Sequence, residues 1–174
     1  MTQLSELTGT YVLDSTDSKL AFVVPTMVVA KVRGQFDEFE GTAQLDGADP
    51  SKSSVRVTVQ AASVQTFNKQ RDDHLRRSFL ETAEHPTMTF ASTKVERVSR
   101  MRYDVTGALT IHGVTKPVTV PFELTRTDDR LRFTGRLTIN RKDWGVRWIA
   151  IGEVGGFFVG DQVTLELDIA AVKQ

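Results

Sequence analysis

The sequence predicts an all-β protein, an antiparallel sheet of about eight to ten short strands bent into a barrel and carrying one helical insert. Three observations predict it. Apolar residues recur at every second position along most of the chain, the mark of strands with one buried face. The alternation slips phase once, between Phe36 and Phe39, which reads as a β-bulge, and bulges supply the bend that barrel closure requires. The chain has 174 residues, 40% of them hydrophobic, enough for one ordinary core.

Taken in order, the longest apolar run is Leu20 to Ala30, interrupted by Pro25 and Thr26. Phe36 falls on an even position, whereas Phe39, Ala43 and Leu45 fall on odd ones. One extra residue near Asp37-Glu38 places all four on one face. Val55, Val57, Val59 and Ala61 form the next strand. The helical insert spans Asn68 to Leu80, with Leu75 and Phe79 at i, i+4, and His85-Pro86 stops it. Met88 and Phe90 open a strand after that proline. Tyr103, Val105, Gly107, Leu109 and Ile111 alternate with polar or small residues, as do Val118, Val120, Phe122 and Leu124. Thr127-Asp128-Asp129-Arg130 is turn chemistry, so the strand of Leu131, Phe133, Gly135, Leu137 and Ile139 folds back as a hairpin. A turn or short helix is expected around Lys142 to Gly145. Val163, Leu165, Leu167 and Ile169 close the pattern.

Composition narrows the chemistry. The 22 basic and 22 acidic residues cancel, which argues against a strongly electrostatic nucleic-acid binder. No cysteine is present, which removes disulfides, thiolate nucleophiles and every Cys-based metal site. The three histidines show no zinc-ligand spacing, so no metal is expected. His74 lies on the helix beside Asp72 and Asp73 and reads as a residue capping a pocket; His112 reads as a strand-end surface residue. No Gly-x-Ser-x-Gly elbow occurs. The glycine-rich stretch Ile151 to Gly160 lacks a P-loop ending and reads as turns at a barrel rim. Asp128 and Asp129 read as turn residues. No apolar run approaches the roughly 20 residues of a membrane-crossing helix. The stretch from Met1 to Thr8 has no signal-peptide character, so a cytoplasmic, soluble protein without stable membrane insertion is expected.

What stands out is the apolar complement. Phe22, Met27, Phe36, Phe39, Phe90, Phe122, Phe133, Trp144, Trp148, Phe157 and Phe158 exceed what hairpin edges require. Inward small residues, Gly107, Gly135, Ala43 and Ala61, are expected to leave room among them. An eight-stranded barrel is wide enough to hold one small ligand, so the aromatic residues read as the lining of an apolar cavity. Lys69, Arg71, Arg76 and Arg77 on the helix read as a solvated face able to hold an anionic headgroup.

Four segments resemble the YceI-like, polyisoprenoid-binding family. They are Phe22 to Gly41; Arg71-Asp72-Asp73-His74-Leu75-Arg76 with Phe79-Leu80 and His85-Pro86; Leu109 to Val118, containing Gly113-Val114-Thr115-Lys116-Pro117-Val118; and Arg141 to Val146 with Val159 to Val163. The likeness spans residues 9–172, taken as one domain, with residues 1–8 as a short tail. Gly9-Thr10-Tyr11 also resembles the Gly-x-Trp start of lipocalins. The resemblance implies an eight-stranded antiparallel lipocalin-like barrel that binds a long isoprenoid or similar fatty lipid, a quinone tail or polyprenyl phosphate, as carrier or storage protein. It implies a homodimer, no enzymatic activity and no cofactor beyond the bound lipid. Cavity lining then falls to Phe22, Met27, Phe36, Phe39, Leu75, Phe79, Phe90, Leu109, Phe122, Phe133, Trp144 and Phe157. Thr26, Arg71, His74 and Arg76 become headgroup candidates, Thr26 standing where many members carry histidine. Two alternatives remain: a barrel enzyme using His74 with Asp73, and a stress-response interaction protein with a filled barrel.

Overall fold

Sequence alternation of period two becomes eleven β segments in the computed structural model, which describes residues 4–25, 31–127, 130–146 and 161–174. They are β1 (Gly9–Leu13), β2 (Lys19–Pro25), β3 (Lys31–Phe36), β4 (Phe39–Leu45), β5 (Ser54–Gln60), β6 (Val64–Gln65), β7 (Thr87–Ser99), β8 (Arg102–Ile111), β9 (Val114–Thr127), β10 (Arg130–Asn140) and β11 (Gln162–Lys173). Helix α1 (Lys69–His74) sits between β6 and β7. The ring runs β1-β4-β5-β7-β8-β9-β10-β11 and closes by pairing β11 with β1. All pairings are antiparallel. Each of the eight strands of this closed barrel thus has a paired neighbour on both sides over at least part of its length, so no strand of the ring is a free edge of the kind that invites aggregation.

The three extra segments are continuations of broken strands. β11 pairs with β1 through Ala171–Lys173 and with β2 through Thr164–Asp168. Between them, Asp14 to Ser18 bends the chain. The Asp14 backbone N–H donates to Ala170 O at 2.8 Å, and the Ser18 hydroxyl donates to Asp14 O at 2.6 Å while accepting from Ala170 N at 2.9 Å. β3 and β4 are broken at Asp37-Glu38, where the phase slip predicted a bulge. There Asp37 N donates to Ser63 O at 3.1 Å and Glu38 O accepts from Gln60 N at 2.9 Å. Phe36, Ala43 and Leu45 line the interior on either side of the break, and Phe39, expected with them, does not. A second slip, on β7 between Ser92 and Lys94, turns both Phe90 and Val95 inward.

The helix lies within the expected span and changes character halfway. Asn68 caps it by accepting from Arg71 N at 3.0 Å. After His74 the chain widens into one π-helical turn over Leu75–Phe79, with Leu80 N donating to Leu75 O at 2.8 Å. That turn lays Phe79 against Ile139, Trp144 and Val146, with Leu75 and Leu80 beside it. A second cluster, Leu7, Tyr11, Val95, Tyr103, Val105, Leu124, Leu131 and Ala171, fills the opposite end.

Two expectations need correcting. Inward glycines do not leave room. A Cβ at Gly107 would stand 2.5 Å from the Phe90 ring, and one at Gly135 would stand 2.9 Å from that of Phe122. Each ring stands over a neighbouring strand's glycine, a known way of covering backbone that lacks a side chain. His112 is not a plain surface residue. With Gly113 it forms the two-residue turn between β8 and β9, at φ of 55° and 74° respectively, as a type I′ hairpin demands. Its half-buried ring pairs through Nε2 with Glu81 Oε1 at 2.9 Å and stacks 4.5 Å from His85. Among the described residues, no helix is long and apolar enough to cross a membrane.

Candidate ligand cavity

Because inward positions of an unbroken strand share one parity, most of the barrel's inner wall is written directly by the alternation. Val55, Val57 and Val59 on β5, Val118 and Val120 on β9, and Leu165, Leu167 and Ile169 on β11 all point to one cavity of about 220 Å³. It reaches from Leu109, Ile111 and Val118 near the helix end to Leu7, Tyr11, Leu45 and Pro50 near the other. Val118 to Leu124 on β9 alone covers about 20 Å at a strand rise of about 3.3 Å per residue. The filled-barrel alternative does not describe this interior.

Polar groups at the wall are few: Tyr11, Thr42, Asp46, Ser53 and Tyr103 carry the side-chain ones. No Lys, Arg or His lines the cavity among the described residues. Asp46 is occupied by its own loop, accepting from Ala48 N at 3.0 Å and Asp49 N at 2.8 Å, and Ser53 Oγ accepts from Asp46 N at 2.9 Å. The Tyr11 hydroxyl donates to Leu7 O at 3.0 Å. Burial raises the pKa of that phenol, opposed by the positive charge of Arg126, so Tyr11 is a neutral hydrogen-bond donor at ordinary pH.

The structure divides the residues singled out in the sequence. Phe36, Phe90, Leu109, Phe122 and Phe133 line the cavity. Phe22, Leu75, Phe79 and Trp144 pack instead into the clusters at the helix end. There the helix inserts apolar side chains between the strands, and Trp144 Nε1 donates to Leu109 O at 2.9 Å. Phe39 is half-buried opposite Val59 and is not part of the wall. Thr26, Met27, Trp148, Phe157, Phe158 and the glycine-rich stretch lie outside the described residues, as do Asp128 and Asp129.

The helix cations are used to attach the helix. Arg71 Nε donates to Thr66 Oγ1 at 2.8 Å and its Nη2 to Thr66 O at 2.9 Å. Arg76 donates to Ala62 O at 2.8 Å and Val64 O at 3.2 Å, and pairs with Asp73 at 2.9 Å. Beneath them the buried Asp72 carboxylate accepts from Thr66 N at 2.9 Å and from the Thr66 hydroxyl at 2.5 Å. The His74 ring meets the edge of Phe79 with centroids 6.0 Å apart. Arg71, His74 and Arg76 therefore stand together on the helix, and none of them lines the cavity. Buried Arg141, whose pKa desolvation lowers, donates to Val146 O at 2.7 Å and lies over the Phe79 ring at 5.3 Å, pinning the turn after β10.

Sequence reasoning missed the two tyrosines and the β5 valines as wall residues. The signal was present, because Tyr103 and the valines carry the inward parity of their strands.

With the geometry established, comparisons with known proteins place the chain. Residues 11–171 match the YceI-like domain model. A UPF0312 protein of Pseudomonas aeruginosa is 40% identical over 148 residues, covering 81% of this chain and 74% of that one. Its counterpart in Azotobacter vinelandii is 34% identical over 147 residues, covering 79% and 76%. Among solved structures, Burkholderia cenocepacia BcnA superposes with a TM-score of 0.84 at 27% identity, covering 92% of this chain and 99% of that one. A polyisoprenoid binding domain from Saccharophagus degradans superposes with a TM-score of 0.78 at 20% identity, over 94% and 98%, and so shares the fold.

Proposed function

This chain belongs to the YceI-like family, and on that premise we propose that it binds one long isoprenoid or similar fatty chain inside the barrel, as a carrier or store. The carrying observation is a cavity of about 220 Å³ whose wall is built almost wholly from aliphatic and aromatic side chains. Such a wall offers too few polar groups to match those of a sugar, nucleotide or peptide. It favours a chain, because each buried methylene contributes about 0.8 kcal/mol without needing a polar partner. The polyisoprenoid binding of the Saccharophagus degradans neighbour, named for that property, points the same way. The reading is binding rather than turnover, and Asp73, the notional orienter of a His74 base, is engaged by Arg76 at 2.9 Å.

Native mass spectrometry of protein purified from cells tests it. An added mass that lipid extraction identifies as an isoprenoid or fatty species is the expected result. Protein that emerges empty, and that stays empty when a prenylated quinone is added, overturns the proposal.

A further inference from the structure

Among the described residues of the wall, one buried polar side chain, Tyr103, makes no hydrogen bond. Tyr103 is 9% exposed, lies on β8 in register with Arg97 on β7 and Phe122 on β9, and lines the cavity wall. Its hydroxyl makes no hydrogen bond among the described residues, whereas that of Tyr11, in the same cluster, donates to Leu7 O. A buried hydroxyl left unpaired is unfavourable by an amount comparable to a lost hydrogen bond. Such a group in an otherwise aliphatic pocket is what fixes the orientation of an apolar ligand.

We propose that Tyr103 Oη is the polar contact for the ligand, and that the group it meets is an uncharged oxygen, a hydroxyl or carbonyl, seated at the end of the barrel opposite the helix. This rests on the lipid-binding reading above and deepens it. The absence of Lys, Arg and His from the described cavity wall gives a phosphate nothing to pair with. The carboxylate on the described wall, Asp46, is of the same sign. The helix arginines Arg71 and Arg76 are spent on Thr66, Ala62 and Val64 at the far end, and Arg126, whose charge reaches Tyr11, pairs with Glu6 at 3.0 Å and does not line the wall. A neutral alcohol or quinone oxygen can accept from or donate to the phenol and desolvates at far lower cost than an anion. The chain then extends from Tyr103 toward Leu109 and Val118, along the wall.

The test uses three probes with one branched chain: phytol, phytane and phytyl phosphate, each displacing diphenylhexatriene from the delipidated full chain. On Tyr103→Phe the ratio of phytol to phytane affinity is expected to fall about fivefold, the worth of one neutral hydrogen bond, with phytane affinity unchanged. Tyr11→Phe, whose hydroxyl is already bonded, is expected to leave that ratio as it is. Phytyl phosphate is expected to bind the unaltered protein more weakly than phytol. An unchanged ratio in Tyr103→Phe removes Tyr103 as the contact, and phosphate binding as tightly as alcohol removes the neutral headgroup; in both cases lipid binding itself stands. Failure of all three probes to displace the fluorophore from the unaltered protein overturns the lipid-binding reading and this one with it.

Discussion

Filling the cavity from its wall should exchange ligand affinity for stability. Ala43 on β4 lines the cavity opposite Tyr11 on β1 and Val55 on β5. Ala43→Leu projects three further carbons into the space of about 220 Å³. If a bound chain occupies that space, the leucine displaces about three of its carbons. At about 0.8 kcal/mol each, the loss is about 2.4 kcal/mol, or roughly 60-fold in Kd. Without ligand the same carbons are buried rather than exposed, and after side-chain entropy the free protein should gain about 1 kcal/mol. Fluorophore displacement by phytol on delipidated protein measures the first effect, and urea unfolding the second. Gln44→Leu, one residue along on the exposed outer face, serves as the control and should change affinity little. Phytol affinity within twofold of the unaltered protein, in a variant shown to be folded and more stable, would refute the placement of the chain in this cavity.

Four further outcomes follow from the packing. Gly107→Ala puts a Cβ 2.5 Å from the Phe90 ring and 2.6 Å from Ala91 O, which is backbone and cannot step aside, so calorimetry should find a loss of about 1–3 kcal/mol. Asp72→Ala strips Thr66 N of its acceptor and should weaken the helix attachment by about 1.5–3 kcal/mol, seen as faster hydrogen exchange over residues 69–79 while β8 to β10 stay protected. Tyr11→Phe, by deleting the bond to Leu7 O, should cost the free protein about 1 kcal/mol in urea unfolding, whereas Tyr103→Phe should cost nothing or stabilise slightly. Asp17 is held below its ordinary pKa of 3.8 by hydrogen bonds from Arg132 and then Arg130. A lowered folded pKa stabilises above the ordinary value and loses that contribution as pH falls through the lowered one. Asp17→Asn should therefore lower Tm at neutral pH, and the gap to the unaltered protein should close on acidification below about pH 4.

The fold was legible because alternation survives translation into three dimensions unchanged. The parity of Val163 to Ile169 or of Val118 to Leu124 selects the inward face before any partner is known, and even the break at Asp37-Glu38 could be read from one slipped phase. The slip on β7 was not legible: Thr89 to Val95 offers only Phe90 and Val95 as large apolar markers, too few to establish two phases. For the site the reading was split by depth rather than by face. Phe90 and Trp144 are both large and inward, but Phe90 stands over Gly107 at mid-barrel while Trp144 is drawn under the helix. Nothing in local pattern distinguishes the two. The helix arginines misled for a related reason, since a charged helix face in sequence does not show that Thr66, Ala62 and Val64 present their carbonyls to it.

By itself the sequence determined the class of the protein: strands whose alternation marks one apolar face, no thiol and no metal-ligand spacing, and hence a barrel with an apolar interior. Those are properties of composition and period, and they do not depend on which strand meets which. Tertiary structure decided where the interior is empty and where it is full, because cavity volume is a difference between the space the barrel encloses and the side chains sent into it. That difference turns on contacts hundreds of atoms apart, among them the Phe90 and Phe122 rings covering Gly107 and Gly135, the π-turn lowering Phe79 into the helix end, and Tyr103, whose hydroxyl has no partner among the described residues.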